Sequence, residues 1–299
     1  MAINRNKVTT NKPPIGAKMK LQVSLIKLMH SDKLTTTAKK WAINNWQYLS
    51  QTNTPLINVN SSAKVVKGEK LNVYTGVLYL KPADSVAKQT ICPAAGKAGC
   101  KAGCLETSGL LGMKIGDNAK IKRTICYLLE TERFGIELRK EINKHYKKHS
   151  EALTIRLNGT SDIDFSALIA SMPYIQFYDY TKIYYRVKNN RLKNYDLTYS
   201  GSANNDLVIK HTARAIRDGK RVVLAMNTAE TKGEWKRPQL IGDIPLVDMD
   251  ETDVRFKDAA NAIGTLKRKG SSKTERKADS TKNGFFFNES TFNQLVAML

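Results

Sequence analysis

The chain has 299 residues and a formal net charge of +22, from 49 Lys and Arg against 27 Asp and Glu. With 41% hydrophobic residues it can bury a large core, yet no run of 18 apolar residues occurs, which excludes a transmembrane helix. So lopsided a charge repels itself, and a polyanion relieves the repulsion by releasing counterions; DNA or RNA is the expected partner.

The N-terminus, MAINRNKVTTNKPPIG, lacks the apolar stretch of a signal peptide. A cytoplasmic protein is expected (the host cytoplasm, for a phage-encoded chain). There, cysteines serve as thiols or metal ligands rather than disulfides. Residues 1–70 form a basic N-terminal region with a surplus of about ten positive charges. Within it, Thr36 to Gln51 reads as an amphipathic helix with Trp41 and Trp46 on its apolar side.

From residue 71 short apolar runs recur. LNVYTGVLYL (71–80) reads as a strand or hairpin, followed by a Gly- and Cys-rich loop from Pro82 to Gly116. A long helical pattern spans about Asn118 to His149, with Leu128, Ile136, Leu138 and Ile142 on its apolar face. Strand-like runs follow at 152–157, 174–180, 195–200, 221–226, 244–249 and 262–267, with helices expected at Asp164 to Ser171 and Asn205 to Asp218. Continuous apolar strands alternating with helices predict an α/β fold with a parallel sheet. A complete or partial (β/α) barrel over residues 71–270 is expected, with a doubly wound open sheet as the alternative. Residues 271–299 read as a basic linker and a C-terminal docking segment.

In such a fold the C-terminal ends of the strands build the site. Asp162, Asp179, Asp248 and Asp250 are the candidate catalytic carboxylates, because carboxylates there can act as nucleophile or general base. Arg156, Asn158, Tyr178, Lys182, Ser200, Lys267 and Lys269 are the candidate substrate- or nucleic-acid-binding groups. The acidic run Asp248 to Asp253 is an island in a basic chain and needs a local reason.

Cys92, Cys100 and Cys104 stand at C-x7-C-x3-C spacing on a Gly- and Ala-rich loop, a pattern suited to zinc or an iron–sulfur cluster. Cys126 follows on the expected long helix. No P-loop, G-x-G-x-x-G, H-E-x-x-H or G-x-S-x-G occurs, which disfavours the common nucleotide-hydrolysing, dinucleotide, zincin and hydrolase classes.

Several segments together carry a family resemblance over about residues 57–270: TGVLYLKPA, the cysteine loop, TIRLNGTSDI, FYDYTK, LTYSGSANND, IPLVDMDETDVRF and AIGTLKRKG. They resemble a family of tailed-phage proteins related to the phage gene-product-88 type. In outline the chain is also similar to radical S-adenosylmethionine barrels, whose cluster loop has C-x3-C-x2-C spacing, and to guanine transglycosylase barrels, with catalytic Asp residues and a Cys-bound zinc. The expectation is a phage nucleic-acid-acting enzyme performing transglycosylase-like base exchange, with Asp162 and Asp179 as its acid–base and nucleophilic pair. A radical-type iron–sulfur enzyme using S-adenosylmethionine is one alternative. A non-enzymatic DNA- or RNA-binding phage protein with a structural metal is another.

Overall fold

The computed structural model describes residues 23–51, 54–59, 63–101, 114–227, 235–267 and 284–299. Residues 1–22 of the expected basic N-terminal region, Cys104, and Lys269 with the basic linker to residue 283 lie outside them.

Nine strands form one sheet among these residues: β1 (Ile57–Val59), β2 (Tyr74–Leu78), β3 (Leu153–Arg156), β4 (Gln176–Thr181), β5 (Tyr195–Gly201), β6 (Val222–Met226), β7 (Leu240–Ile241), β8 (Ile244–Asp248) and β9 (Ile263–Lys267). Their order across the sheet is β1-β2-β3-β4-β5-β6-β9-β8-β7. The strands from β2 to β8 in that order run parallel, while β1 and β7 pair antiparallel at the two edges.

Because β2 to β6 advance one place at a time and crossovers are right-handed, their connecting helices fall on the same face. Such one-way winding occurs both in (β/α) barrels and in the halves of open sheets. The complete barrel, however, is not formed. β1 bonds only to β2 and β7 only to β8, so the sheet stays open.

The helices are α1 (Leu25–His30), α2 (Thr36–Asn44), α3 (Trp46–Ser50), α4 (Ala63–Val66), α5 (Lys114–Leu129), α6 (Thr131–His149), α7 (Ser166–Ala170), α8 (Tyr184–Asn189), α9 (Asp206–Arg217) and α10 (Glu289–Val296). The Thr35 side chain caps α2 by accepting from the Ala38 N–H, and Asn205 caps α9 by accepting from the Val208 N–H. Gly219 takes a left-handed φ of +62° after α9, and the Gly219 and Lys220 N–H groups return to the Ile216 and Ala215 carbonyls. Two expected helices are broken: 36–51 at Asn45, and 118–149 at Glu130, whose backbone leaves the helical region.

Alternation along the strands divides the sheet into two faces. Leu153, Ile155, Phe177, Leu197, Leu224 and Ile263 join the main core with Leu138 and Ile142 of α6 and Ile209 and Ala213 of α9. Leu28, Ala38, Ala42 and Leu49 enter the same core, so the chain from Val23 onward is packed onto the sheet's helical side. The other face is far more polar, with Thr75, Thr154, Arg156, Tyr178, Tyr180, Asp196 and Thr198. The segment 249–258, including a 3-10 turn at Arg255–Lys257, folds across it.

Candidate functional site

The C-terminal ends of β3, β4 and β5 meet beneath the cysteine loop. After β3 the chain must turn at once. The Asn158 side chain organises that turn, accepting from the Ile163 N–H at 2.8 Å and the Ser161 hydroxyl at 2.9 Å and donating to the Ile163 carbonyl at 3.0 Å. Gly159 donates to the Leu78 carbonyl at 3.1 Å, and a Cβ there would stand 2.6 Å from a Val77 methyl and 2.7 Å from the Tyr79 ring. Only glycine lets the turn lie this close to β2.

The turn delivers Asp162 to the rim. Its carboxylate accepts from the Thr181 hydroxyl at 3.1 Å and the Lys182 N–H at 2.9 Å, and Arg186 forms an ion pair with it. Burial pushes the Asp162 pKa up, while Arg186 pulls it back. Asp179 lies one layer deeper, fully buried. It accepts from the Asn158 N–H at 2.9 Å, the Leu157 N–H at 3.2 Å and the Tyr195 hydroxyl at 3.4 Å. Burial raises its pKa to about 6 against the opposing charge of Arg156 and the two backbone donors.

Lys182 follows the last residue of β4 and is partly buried. Its ammonium donates to the Gly201 carbonyl at 3.4 Å, at the end of β5, and sits 4.4 Å from the centre of the Phe285 ring. Burial lowers its pKa to about 8, opposed by Cys100 and Asp162. The cysteine loop closes over this group: Asn204 and Asn205 both donate to the Lys97 carbonyl at 3.0 Å, and Asp162 donates its N–H to the Ile91 carbonyl at 3.0 Å.

Cys92 accepts from the Ala83 N–H at 3.4 Å and donates to the Thr160 carbonyl at 3.8 Å, while Cys100 donates to the Ala95 carbonyl at 3.7 Å. Burial raises the Cys100 pKa, which favours the neutral thiol. Cys126 is buried inside α5 and its pKa is pushed up to about 12. Among the described residues no group of three His, Cys, Asp or Glu side chains is placed to hold a metal ion. Cys104, the third member of the sequence pattern, lies outside them.

A second polar cluster occupies the opposite face of the sheet. Arg156 ion-pairs with Asp253 and lies over the rings of Tyr178 and Tyr180, at 5.7 and 5.0 Å. The Tyr180 hydroxyl donates to Asp253 at 3.2 Å, and Tyr178 donates to the Thr75 hydroxyl at 3.2 Å. Phe256 packs on Tyr178, with ring centres 5.6 Å apart. Tyr178 is fully buried, so both of its faces are occupied from within the chain. Ser200 lies on this same face of β5, partly buried.

Asp248 and Asp250 are brought to neither cluster. β8 lies four places from β4 in the sheet. Asp248 faces Arg237 at 3.4 Å and Lys267 at 3.8 Å, and Asp250 accepts from the Lys267 N–H at 2.7 Å. The acidic island thus has local basic partners, together with Arg156 for Asp253.

Beside the rim, α8 and α9 present a set of rings and cations, of which sequence reading misses Tyr185, His211, Lys188 and Arg214. Tyr185 is 55% exposed. The Tyr184 ring stacks on His211 with centres 5.8 Å apart and touches Tyr185 at 5.2 Å. Lys188 and Arg214 each lie 5.8 Å from the Tyr184 ring centre. Lys210, Arg214 and Arg217 are exposed on α9, and Lys188 and Arg191 on and just after α8. A usable signal was the spacing of Lys210, Arg214 and Arg217, which places one basic stripe along a helix.

A family model described as Gene product 88 matches residues 47–285. No curated protein and no solved structure matches the chain.

Proposed function

The chain belongs to the Gene product 88 family of phage proteins, and from that premise we propose that it acts on nucleic acid, binding a strand along α8 and α9 and modifying it at the adjoining rim. The observation that carries this reading is the exposed Tyr185 ring, which meets His211 and the buried Tyr184, whose ring in turn lies near Lys188 and Arg214. Single-stranded nucleic acid is held by such a combination, with bases stacked on aromatic faces and phosphates met by cations. The net charge of +22 favours the same class of partner.

The open sheet is read as a partial (β/α) barrel whose rim holds the chemistry. Base modification of the exchange type falls there to Asp162, with Lys182 beside it. Asp179, enclosed beneath the rim, positions the Leu157–Asn158 turn. Fluorescence anisotropy with a labelled single-stranded oligonucleotide tests the binding. Tyr185→Ala combined with Arg214→Ala should weaken affinity at least tenfold, within the roughly 1–3 kcal/mol of one stacked base. Affinity should also fall steeply with salt. Unchanged binding in the double variant would overturn the reading.

A second reading is binding without chemistry. It is favoured by the way Asp162 and Asp179 take hydrogen bonds from neighbouring backbone, as structural carboxylates do. Asp162→Asn separates the two, because a purely binding protein keeps its biological activity in that variant. Zinc, or an iron–sulfur cluster with S-adenosylmethionine, belongs to the proposal only through Cys104 joining Cys92 and Cys100. Elemental analysis with a visible spectrum tests it, a brown protein marking a cluster and a colourless zinc protein the alternative.

A further inference from the structure

We propose that Lys182 is an amine nucleophile that condenses with the C1′ aldehyde of a base-free deoxyribose in single-stranded DNA, a role that rests on the nucleic-acid reading above. Three placements carry it. Lys182 stands at the C-terminal end of a central parallel strand, where sheets of this kind do their chemistry. Among the described residues its amine makes one hydrogen bond, a long one of 3.4 Å to the Gly201 carbonyl, and otherwise lies against the Phe285 ring at 4.4 Å. The Asp162 carboxylate is fixed beside it by the Thr181 hydroxyl, the Lys182 N–H and Arg186.

Burial strips the ammonium of hydration and favours the free amine, while the Phe285 ring attracts the cation and works the other way. The pKa of about 8 follows from that burial. It raises the share of free amine near neutral pH by on the order of a hundredfold over an exposed lysine. Base exchange passes through a sugar whose C1′ has lost its base, and an open-chain C1′ is an aldehyde. The flanking phosphates of such a sugar suit the cations of α8 and α9, which begin at this rim.

The step balances without an added oxidant or reductant. The free Nζ attacks C1′, forming the N–C bond while the carbonyl electron pair moves to oxygen. A proton passes from nitrogen to that oxygen, with Asp162 as the carrier, and water leaves. The product is a neutral imine plus one water, and uptake of one proton from solvent gives the iminium that hydride attacks.

Borohydride tests this, because it supplies hydride to the imine carbon and leaves a stable secondary amine. The full chain is mixed with a labelled single-stranded oligonucleotide carrying one abasic site, treated with sodium borohydride and run on a denaturing gel. A covalent complex is expected, with the adduct mapped by mass spectrometry to the peptide containing Lys182. Lys182→Arg keeps the charge and should lose at least 95% of the complex, whereas Lys140→Gln on α6 should retain it. Trapping should rise through pH 8. Mapping of the adduct to other lysines, or equal trapping by Lys182→Arg, would overturn the proposal. Anisotropy on the same oligonucleotide separates the failures: binding without trapping sinks the Lys182 role alone, and no binding sinks the nucleic-acid reading with it.

Discussion

Asp253 and Arg156, 97 residues apart in the chain, form an ion pair that ties the segment after β8 to β3 across the polar face of the sheet. The same carboxylate receives the Tyr180 hydroxyl. Both side chains are shielded from water, so neither charge is well solvated without the other.

Removing one partner of such a pair strands the other. Asp253→Ala is expected to cost about 3 kcal/mol of stability, within the range for breaking a buried pair. Urea unfolding followed by circular dichroism measures it. The double variant Arg156→Met with Asp253→Leu should recover part of the loss, since it removes the stranded cation, while Asp179 then loses the guanidinium 4.0 Å away. A double variant weaker than Asp253→Ala alone would count against the pairing.

Asp179 makes stability depend on pH with a definite sign. Its folded pKa of about 6 lies above the unfolded value of about 3.9. Between those values the folded chain holds a proton that the unfolded chain has lost. Stability therefore falls as pH rises through the window, by up to about 3 kcal/mol, and the loss is complete above the folded value. The gap in unfolding free energy between wild type and Asp179→Asn, followed from pH 4 to pH 7, should shift by roughly that amount. A constant gap would refute it.

Gly159 is expected to tolerate no side chain. Gly159→Ala drives a Cβ into Val77 and Tyr79, an overpacking worth about 1–3 kcal/mol. Because the turn carries Asp162, whose charge holds the Lys182 pKa up against burial, displacing it should lower that pKa further. Reductive methylation of Lys182 with pH, read by NMR, reports this directly.

Thiol reactivity should rank the described cysteines by burial. Cys126, with its pKa near 12, should resist a disulfide reagent until the chain unfolds, while Cys92 and Cys100, each partly exposed, react in the native state. Peptide mapping of time-resolved labelling checks the order. Early modification of Cys126 would contradict its packing inside α5.

The strands from β3 to β6, and β8 and β9, were legible because their apolar runs are continuous and bounded by polar clusters. Closure of the sheet was not. It depends on edge strands of three and two residues, Ile57–Val59 and Leu240–Ile241, too short to show any period. The break between α5 and α6 was hidden because helical periodicity continues past Glu130. At the site, Asp162, Asp179 and Lys182 were each named from strand ends. Their grouping was invisible, since it is made by Arg186, Cys100 and Phe285, which come from different parts of the chain. Asp253 was seen only as one member of an acidic run. Its partner Arg156 is set by tertiary folding, which no local pattern encodes.

The position of β9 between β6 and β8 has a consequence for how the chain is made. Synthesis proceeds from the N-terminus, so the β7–β8 hairpin emerges before the strand that must attach it to the sheet. Until Ile263–Lys267 arrives, β6 presents an unpaired border and the hairpin has nowhere to dock. A nascent chain that stalls before Ile263 would therefore expose a sticky edge, and the last parallel strand works as a keystone inserted after its neighbours.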